Sequence, residues 1–155
     1  FTPVQMASYV ATLANDGTRM QPHLVKAVKS YDFKSTVREV EPMAVDHVPA
    51  SQEVFDTVRK GMIAATSTGG TSGWLWTGFP LTVASKTGTP EGDSTLTSCY
   101  ICYIPAEDPQ IAIAVVLEDG GQGYTGAPVA RAIAEQFFFG ASEAEDISVP
   151  GQLLP

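Results

Sequence analysis

Four consecutive residues, Lys86-Thr87-Gly88-Thr89, bring together a permanent cation, two hydroxyls and a position without a side chain. They follow Leu81–Ser85, a run that reads as a β-strand. Strand alternation then puts Thr87 and Thr89 on one face, where both hydroxyls can converge on one anionic group. Gly88 lets another backbone come close, and Lys86 adds a fixed positive charge. An exposed strand of this kind can pair with an extended peptide in register, and its backbone N–H groups can stabilise an oxyanion. The combination suits a peptide that ends in a carboxylate. A string this short also arises wherever a strand runs into a turn, so its meaning depends on the surrounding elements.

The other candidates for chemistry are weaker. Cys99 and Cys102 have a C-x-x-C spacing, which can signal a redox pair or half of a zinc site. Both lie in Thr97–Ile104, a strand-like run, and residues three apart on a strand point to opposite faces. No second such pair exists, and His23 and His47 are distant in sequence, so neither metal nor redox chemistry is expected. The two histidines read as local structure. Thr66–Gly73 is rich in glycine but lacks the Gly-Lys-Ser/Thr ending of a phosphate-binding loop, and reads as a mobile loop beside a cleft.

Several elements must position the motif. Thr2 to Asn15 reads as a helix with Thr2 as cap, Pro3 in the first turn, and Val4, Ala7, Val10 or Ala11, and Ala14 at helical spacing. Asn15-Asp16-Gly17 ends it, with Gly17 in a left-handed position. Pro22–Phe33 and Val37–Val45 read as extended segments forming a ribbon. Ser51–Ala65 reads as a second helix capped by Ser51, with Glu53 near its positive end. Its stripe is Val54, Phe55, Val58 and Met62, and Arg59 and Lys60 are expected to face water. Leu81–Thr87, Thr97–Ile104 and Ile111–Leu117 read as three neighbouring antiparallel strands, the last apolar throughout and expected to be covered on both faces. Ala127–Phe139 reads as a final helix whose buried face is Val129, Ile133 and Phe137. The fold class is α+β, an antiparallel sheet covered by helices.

Composition narrows the function classes. At 155 residues, 44% hydrophobic and 17% charged, the chain has the makeup of one globular domain or part of one. A net charge of −8 argues against nucleic acid as a partner. Lys26, Lys29, Lys34 and Arg38 are scattered and read as a solvated face. No run is long enough to span a membrane as a helix. Phe1 rather than Met opens the chain, so a boundary is expected there, with any anchor upstream.

The order of segments resembles the transpeptidase domain of class B penicillin-binding proteins. Thr2-Pro-Val-Gln-Met-Ala7, Thr12-Leu-Ala-Asn-Asp-Gly-Thr18 and Gln21-Pro-His-Leu-Val-Lys26 are similar to the segment after that family's second motif. Val83–Glu91 is similar to its third-motif strand, and Tyr103–Val116 to the two strands that follow. The likeness spans residues 1–140, leaving 141–155 as an acidic tail, and is nearest the cell-elongation branch, with septal and sporulation paralogues similar. It implies a serine β-lactamase/penicillin-binding-protein-like fold, extracytoplasmic and anchored by an upstream segment, with no cofactor. It further implies cross-linking of peptidoglycan stem peptides ending in D-Ala-D-Ala by an upstream serine, with β-lactams bound as mimics. The upstream half of the domain, and proteins of a cell-wall synthesis complex, are the implied partners. By the resemblance, Lys86 contacts the serine of the second motif and shapes the field at the nucleophile. Thr87 and Thr89 bind the substrate carboxylate beside Gly88, and the Thr89 N–H joins the oxyanion hole.

The chain also departs from the family. It contains no Ser-x-x-Lys, and no Ser-x-Asn, since Asn15 is its only asparagine. In the family both lie upstream of Phe1. Ser85 replaces the glycine usual before the motif lysine. The chain by itself is therefore expected to be inactive, with apolar surface left open where upstream helices belong. A β-lactam sensor, a β-lactamase relative and a non-catalytic fragment remain alternatives. The length before Lys86 favours the transpeptidase.

Overall fold

A computed structural model describes residues 1–90 and 95–140; the expected tail at 141–155 lies outside the described residues. Helix α1, Pro3–Ala14, begins with a reciprocal capping box. The Gln5 N–H donates to Thr2 Oγ1 at 3.3 Å and the Thr2 N–H donates to Gln5 Oε1 at 2.8 Å, so two of the helix's orphan donors are satisfied. The chain then turns at Gly17, whose φ of 92° is the expected left-handed conformation.

Residues 18–47 form the expected ribbon as two nested antiparallel pairs. Strand β1 (Thr18–Met20) pairs with β4 (Ala44–His47), and β2 (Ala27–Lys29) pairs with β3 (Thr36–Glu39) between them. The ribbon is almost wholly solvent-exposed, including Tyr31 and Phe33 in the β2–β3 turn.

Helix α2, Gln52–Thr66, buries Phe55 and Met62 but not the expected Val54 and Val58. Phe55 and Met62 are seven residues apart, nearly two turns, so the buried stripe is narrower than the run of apolar types suggests. Ser51 occupies the cap position without a side-chain cap bond. Arg59 does not simply face water. Its guanidinium pairs with Asp16 Oδ1 at 2.5 Å and Asp56 Oδ1 at 3.0 Å, tying α2 to the turn after α1.

The centre is a three-stranded antiparallel sheet in the order β5 (Ala84–Gly88), β6 (Ser98–Ile104), β7 (Ile111–Leu117). Its register sets Lys86 opposite Ile101, Gly88 opposite Cys99, and Ile104 opposite Ile111. The three expected strands are thus neighbours, the first beginning three residues later than its sequence pattern suggests. One face packs on α1 and α2 through Val10, Ala14, Met62, Ala84, Ile101 and Tyr103. The other packs on α3 (Ala127–Phe139) through Tyr100, Cys102, Ile113, Val115, Ala130 and Ala134. Both β6 and β7 have helices on both faces, as expected of β7: α1 lies over Ala112 and Ala114 on one side, and α3 over Ile113 and Val115 on the other. Burial is less complete in β7 than in β6, with Ile113 and Val115 buried and the other five residues half-buried, because β7 lies at the sheet's other edge.

Helix α3 has the expected bounds but presents a different face. Ala127, Ala130 and Ala134 are buried, while Val129, Ile133 and Phe137 are 44%, 41% and 55% exposed. Alanines let the helix axis come close to the sheet, and the larger side chains are turned outward. Nor is the glycine-rich stretch after α2 an open loop. Ser72 and Gly73 are buried, and a Cβ on Gly73 would overlap the Ser67 carbonyl. Ser72 N–H donates to Ala65 O at 2.9 Å and Gly70 N–H to Ser67 O at 2.8 Å, folding the segment back onto the helix end.

This placement of α3 has a measurable consequence. Ala130→Val should destabilise the chain by about 1–3 kcal/mol through overpacking. Ile133→Gln, on the outward stripe, should change stability by no more than about 0.5 kcal/mol. Urea unfolding of the two variants checks the assignment, and the reverse ranking would restore the face expected from the apolar spacing.

Candidate active site

The motif strand β5 stands at the edge of the sheet with only β6 beside it, the position an added peptide strand needs. Its leader is held from below. Thr66 Oγ1, at the end of α2, lies 2.5 Å from Val83 O, and the Ala106 N–H donates to Thr82 O at 2.9 Å. Ala84 is buried against α1 and α2, and Ser85 is buried towards the opposite layer. From there the strand emerges: Lys86 is exposed, and Thr87, Gly88 and Thr89 are half-buried.

Alternation separates the motif's charge from its hydroxyls. Lys86 follows the face of Ala84 and lines a cleft of about 420 Å³ between α1 and α2, with Tyr9, Leu13, Val58, Met62 and Ile101 around it. Its ammonium folds back to donate to the Thr87 carbonyl, leaving two N–H donors for other groups. Thr87 and Thr89 belong to the other face by alternation. Thr89 Oγ1 accepts the Gly123 N–H at 2.9 Å. That bond holds its oxygen in place and leaves its O–H free to donate.

Gly123 belongs to no motif in the sequence, yet it is part of the site. Gly123 is buried in a short 3₁₀ turn, Gly123–Gly126, seated on the motif strand. A Cβ there would overlap the backbone N, C and O of Gly88. At Gly88 itself an added Cβ would meet only Cys99, at 3.5 Å from its Cβ, which is ordinary contact. Internal packing therefore demands glycine at 123 and tolerates a side chain at 88. The one available signal was the spacing Gly120-Gly-Gln-Gly123 before an apolar helix.

A hollow of about 480 Å³ between α3 and Gly78–Pro80 involves none of the motif residues. Its cation, Arg131, donates to Leu75 O and Thr77 O and pairs with Glu135 at 2.8 Å, so its charge serves structure.

Cys99 and Cys102 lie on opposite faces of β6. Cys102 sits in the α3-side core, where burial pushes its thiol up to about 12. Cys99 is half-buried opposite Gly88.

The chain matches the family described as the penicillin binding protein transpeptidase domain over residues 1–138, and it belongs to that family. The resemblance to class B penicillin-binding proteins and the α+β fold are both borne out. Among its relatives is the peptidoglycan D,D-transpeptidase PbpA of Mycolicibacterium smegmatis, 37% identical over 145 residues, covering 84% of this chain and 28% of that protein. Penicillin-binding protein 2A of Bacillus subtilis is 32% identical over 132 residues, covering 76% of this chain and 18% of its own. In solved structures the chain is similar to penicillin-binding protein A of Mycobacterium tuberculosis in its imipenem acyl-enzyme complex. The TM-score there is 0.74 and the identity 31%, over 87% of this chain and 30% of that one. The chain thus spans less than a third of the length of these proteins. Among the described residues, no helix is long and apolar enough to cross a membrane.

Two tests follow from this geometry. Gly123→Ala should cost about 1–3 kcal/mol of stability, because backbone must move to admit the methyl group. Gly88→Ala should cost less than about 1 kcal/mol; chemical denaturation compares them, and equal losses would contradict the packing asymmetry. In the native chain at pH 8, a thiol-reactive dye should label Cys99 while sparing Cys102, with both labelled after unfolding. Mass spectrometry of the labelled peptides reads this directly, and native labelling of Cys102 would show that the α3-side core is open.

Proposed function

We propose that this chain forms the sheet-side wall of a peptidoglycan D,D-transpeptidase site, one that cross-links stem peptides ending in D-Ala-D-Ala and is acylated by β-lactams. The observation that carries the reading is the form of β5. It is an edge strand that sends Lys86 into the α1–α2 cleft and keeps Thr87 and Thr89 on the other face. On this reading a serine from the rest of the domain sits in the cleft beside Lys86. The ammonium stabilises negative charge there and assists proton transfer through the hydroxyl of the second-motif serine.

The stem peptide lies along β5, its backbone close to Gly88 and its terminal carboxylate on the threonine hydroxyls. The Thr89 N–H contributes to the oxyanion hole. A hydroxyl whose oxygen is already fixed by the Gly123 N–H donates to a carboxylate with little further ordering, which supports Thr89 in that role. The outward apolar stripe Val129, Ile133 and Phe137 supports a cover contributed by the remainder of the domain, as does the hollow around Phe1, Met6 and Tyr9. On this reading the whole protein works at the extracytoplasmic face of the membrane, where its substrate lies. The PbpA relative's name and the imipenem acyl-enzyme of the M. tuberculosis protein support the activity and the ligand class.

Acylation by a fluorescent penicillin tests this. The 155-residue chain should not be labelled, and the full-length protein should be. In full-length protein, Lys86→Ala should slow acylation about 100-fold or more, through loss of charge at the reacting centre. Thr89→Ala should slow it about 10-fold, the worth of one hydrogen bond to a charged group. Rapid labelling of the isolated chain would place the nucleophile within it. Unchanged labelling of the Lys86→Ala protein would remove Lys86 from the site.

A further inference from the structure

Behind the motif strand lies a buried set of hydroxyls that the proposed chemistry does not use. Ser72, Ser85 and Tyr100 each have no solvent exposure, and Trp76 is 6% exposed. Trp76 Nε1 donates to the Tyr100 hydroxyl at 2.7 Å. Ser72 Oγ lies 3.1 Å from the Tyr100 hydroxyl, 3.2 Å from Ser85 Oγ and 3.2 Å from Ala65 O.

The donor inventory fixes the direction of these bonds. Indole N–H only donates, a carbonyl only accepts, and each hydroxyl has one proton. Tyr100 takes the indole proton and gives its own to Ser72, Ser85 also gives to Ser72, and Ser72 gives to the Ala65 carbonyl. Every donor is then matched, and the set ends on the last turn of α2. Ser85 is the residue immediately before Lys86, and Tyr100 is the β6 partner of Thr87. The set therefore joins the folded-back segment after α2 to the motif strand from behind, at the last buried residue before the strand emerges. Ser72, its hub, is held in that segment by its own N–H bond to Ala65 O.

We propose that Ser85 and Tyr100 are positioning residues for carboxylate recognition. Through Ser72 they fix the height and twist of β5, and so aim the Thr87 and Thr89 hydroxyls. The inference rests on the transpeptidase reading above and adds to it a specificity role for the serine that stands where the family usually has glycine. No atom of the set touches substrate; its effect passes through the strand. Ser85→Ala removes a donor and leaves no other donor unmatched, so it loosens the strand without creating a buried unsatisfied group. Tyr100→Phe keeps the ring but orphans the Trp76 N–H, so it acts on both packing and aim.

The test measures acylation of the full-length protein by benzylpenicillin and by its methyl ester, which lacks the carboxylate. Thr12→Val serves as a control, removing a buried hydroxyl within α1 that donates to Ser8 O at 2.7 Å. For Ser85→Ala and Tyr100→Phe, acylation efficiency with benzylpenicillin should fall about tenfold, as small misplacement of binding groups does. With the ester it should change by less than about twofold, and Thr12→Val should leave both unchanged. Equal losses for acid and ester would show a merely structural role, and unchanged acylation of the acid would remove the set from recognition; either overturns the proposal. If Tyr100→Phe does not fold, Ser85→Ala alone decides between these outcomes. Absence of acylation in the unaltered full-length protein would instead overturn the transpeptidase reading, and this inference with it.

Discussion

Everything in this structure is referred to one strand. β6 is covered on both faces, and six of its seven residues are buried. Burial on both sides leaves its polar side chains no water, so each hydroxyl must find a partner in the protein. Tyr100 finds Trp76 and Ser72. Ser98 finds the turn before α3: its Oγ donates to Gly123 O at 3.1 Å and accepts the Gly126 N–H at 3.2 Å. The two residues lie on the same face of the strand and recruit two different loops.

Those loops are the pieces that hold the motif. The segment after α2 reaches Ser85 through Ser72 at the buried end of β5, and the turn before α3 seats Gly123 against Gly88 and binds Thr89 at the emerging end. The motif strand has a ladder partner on one side only, so these two contacts, with the packing of Ala84 on α1 and α2, hold it from its faces. A second ladder would stiffen the strand only by closing its free edge. Hydrogen bonds from the face leave the edge open.

Much of this was legible in the sequence, and the reasons differ by element. The capping residues Thr2 and Pro3 and the left-handed Gly17 act locally, so their chemistry shows in the string itself. The three strands were visible because β-branched and aromatic types bounded by turn residues admit few other readings. The buried face of α3 was not legible. Spacing alone ranked Val129, Ile133 and Phe137 above the alanines, yet close approach of helix to sheet selects the small residues. Nor could composition show that Arg59 would be drawn to Asp16, 43 residues away in the chain. At the site, Lys86 and the threonines stood out as residue types, whereas Gly123 and the Ser72–Tyr100 contact depend on pairs far apart in sequence.

The opposite placement of Lys86 and the threonines bears on how such a site can work. An ammonium lining an apolar cleft is tolerable while the cleft is open, because water still reaches it. If a helix fills the cleft, that water is lost and the charge must gain polar partners to offset its desolvation. Tyr9, Leu13, Val58, Met62 and Ile101 provide no carboxylate, and the Thr87 carbonyl takes only one of the three N–H donors. The filling segment must therefore bring hydroxyls, amides or negative charge to the end that meets Lys86, and apolar side chains elsewhere. The strand's other face is free of this demand, so the two threonines can serve a carboxylate without competing with the lysine's partners.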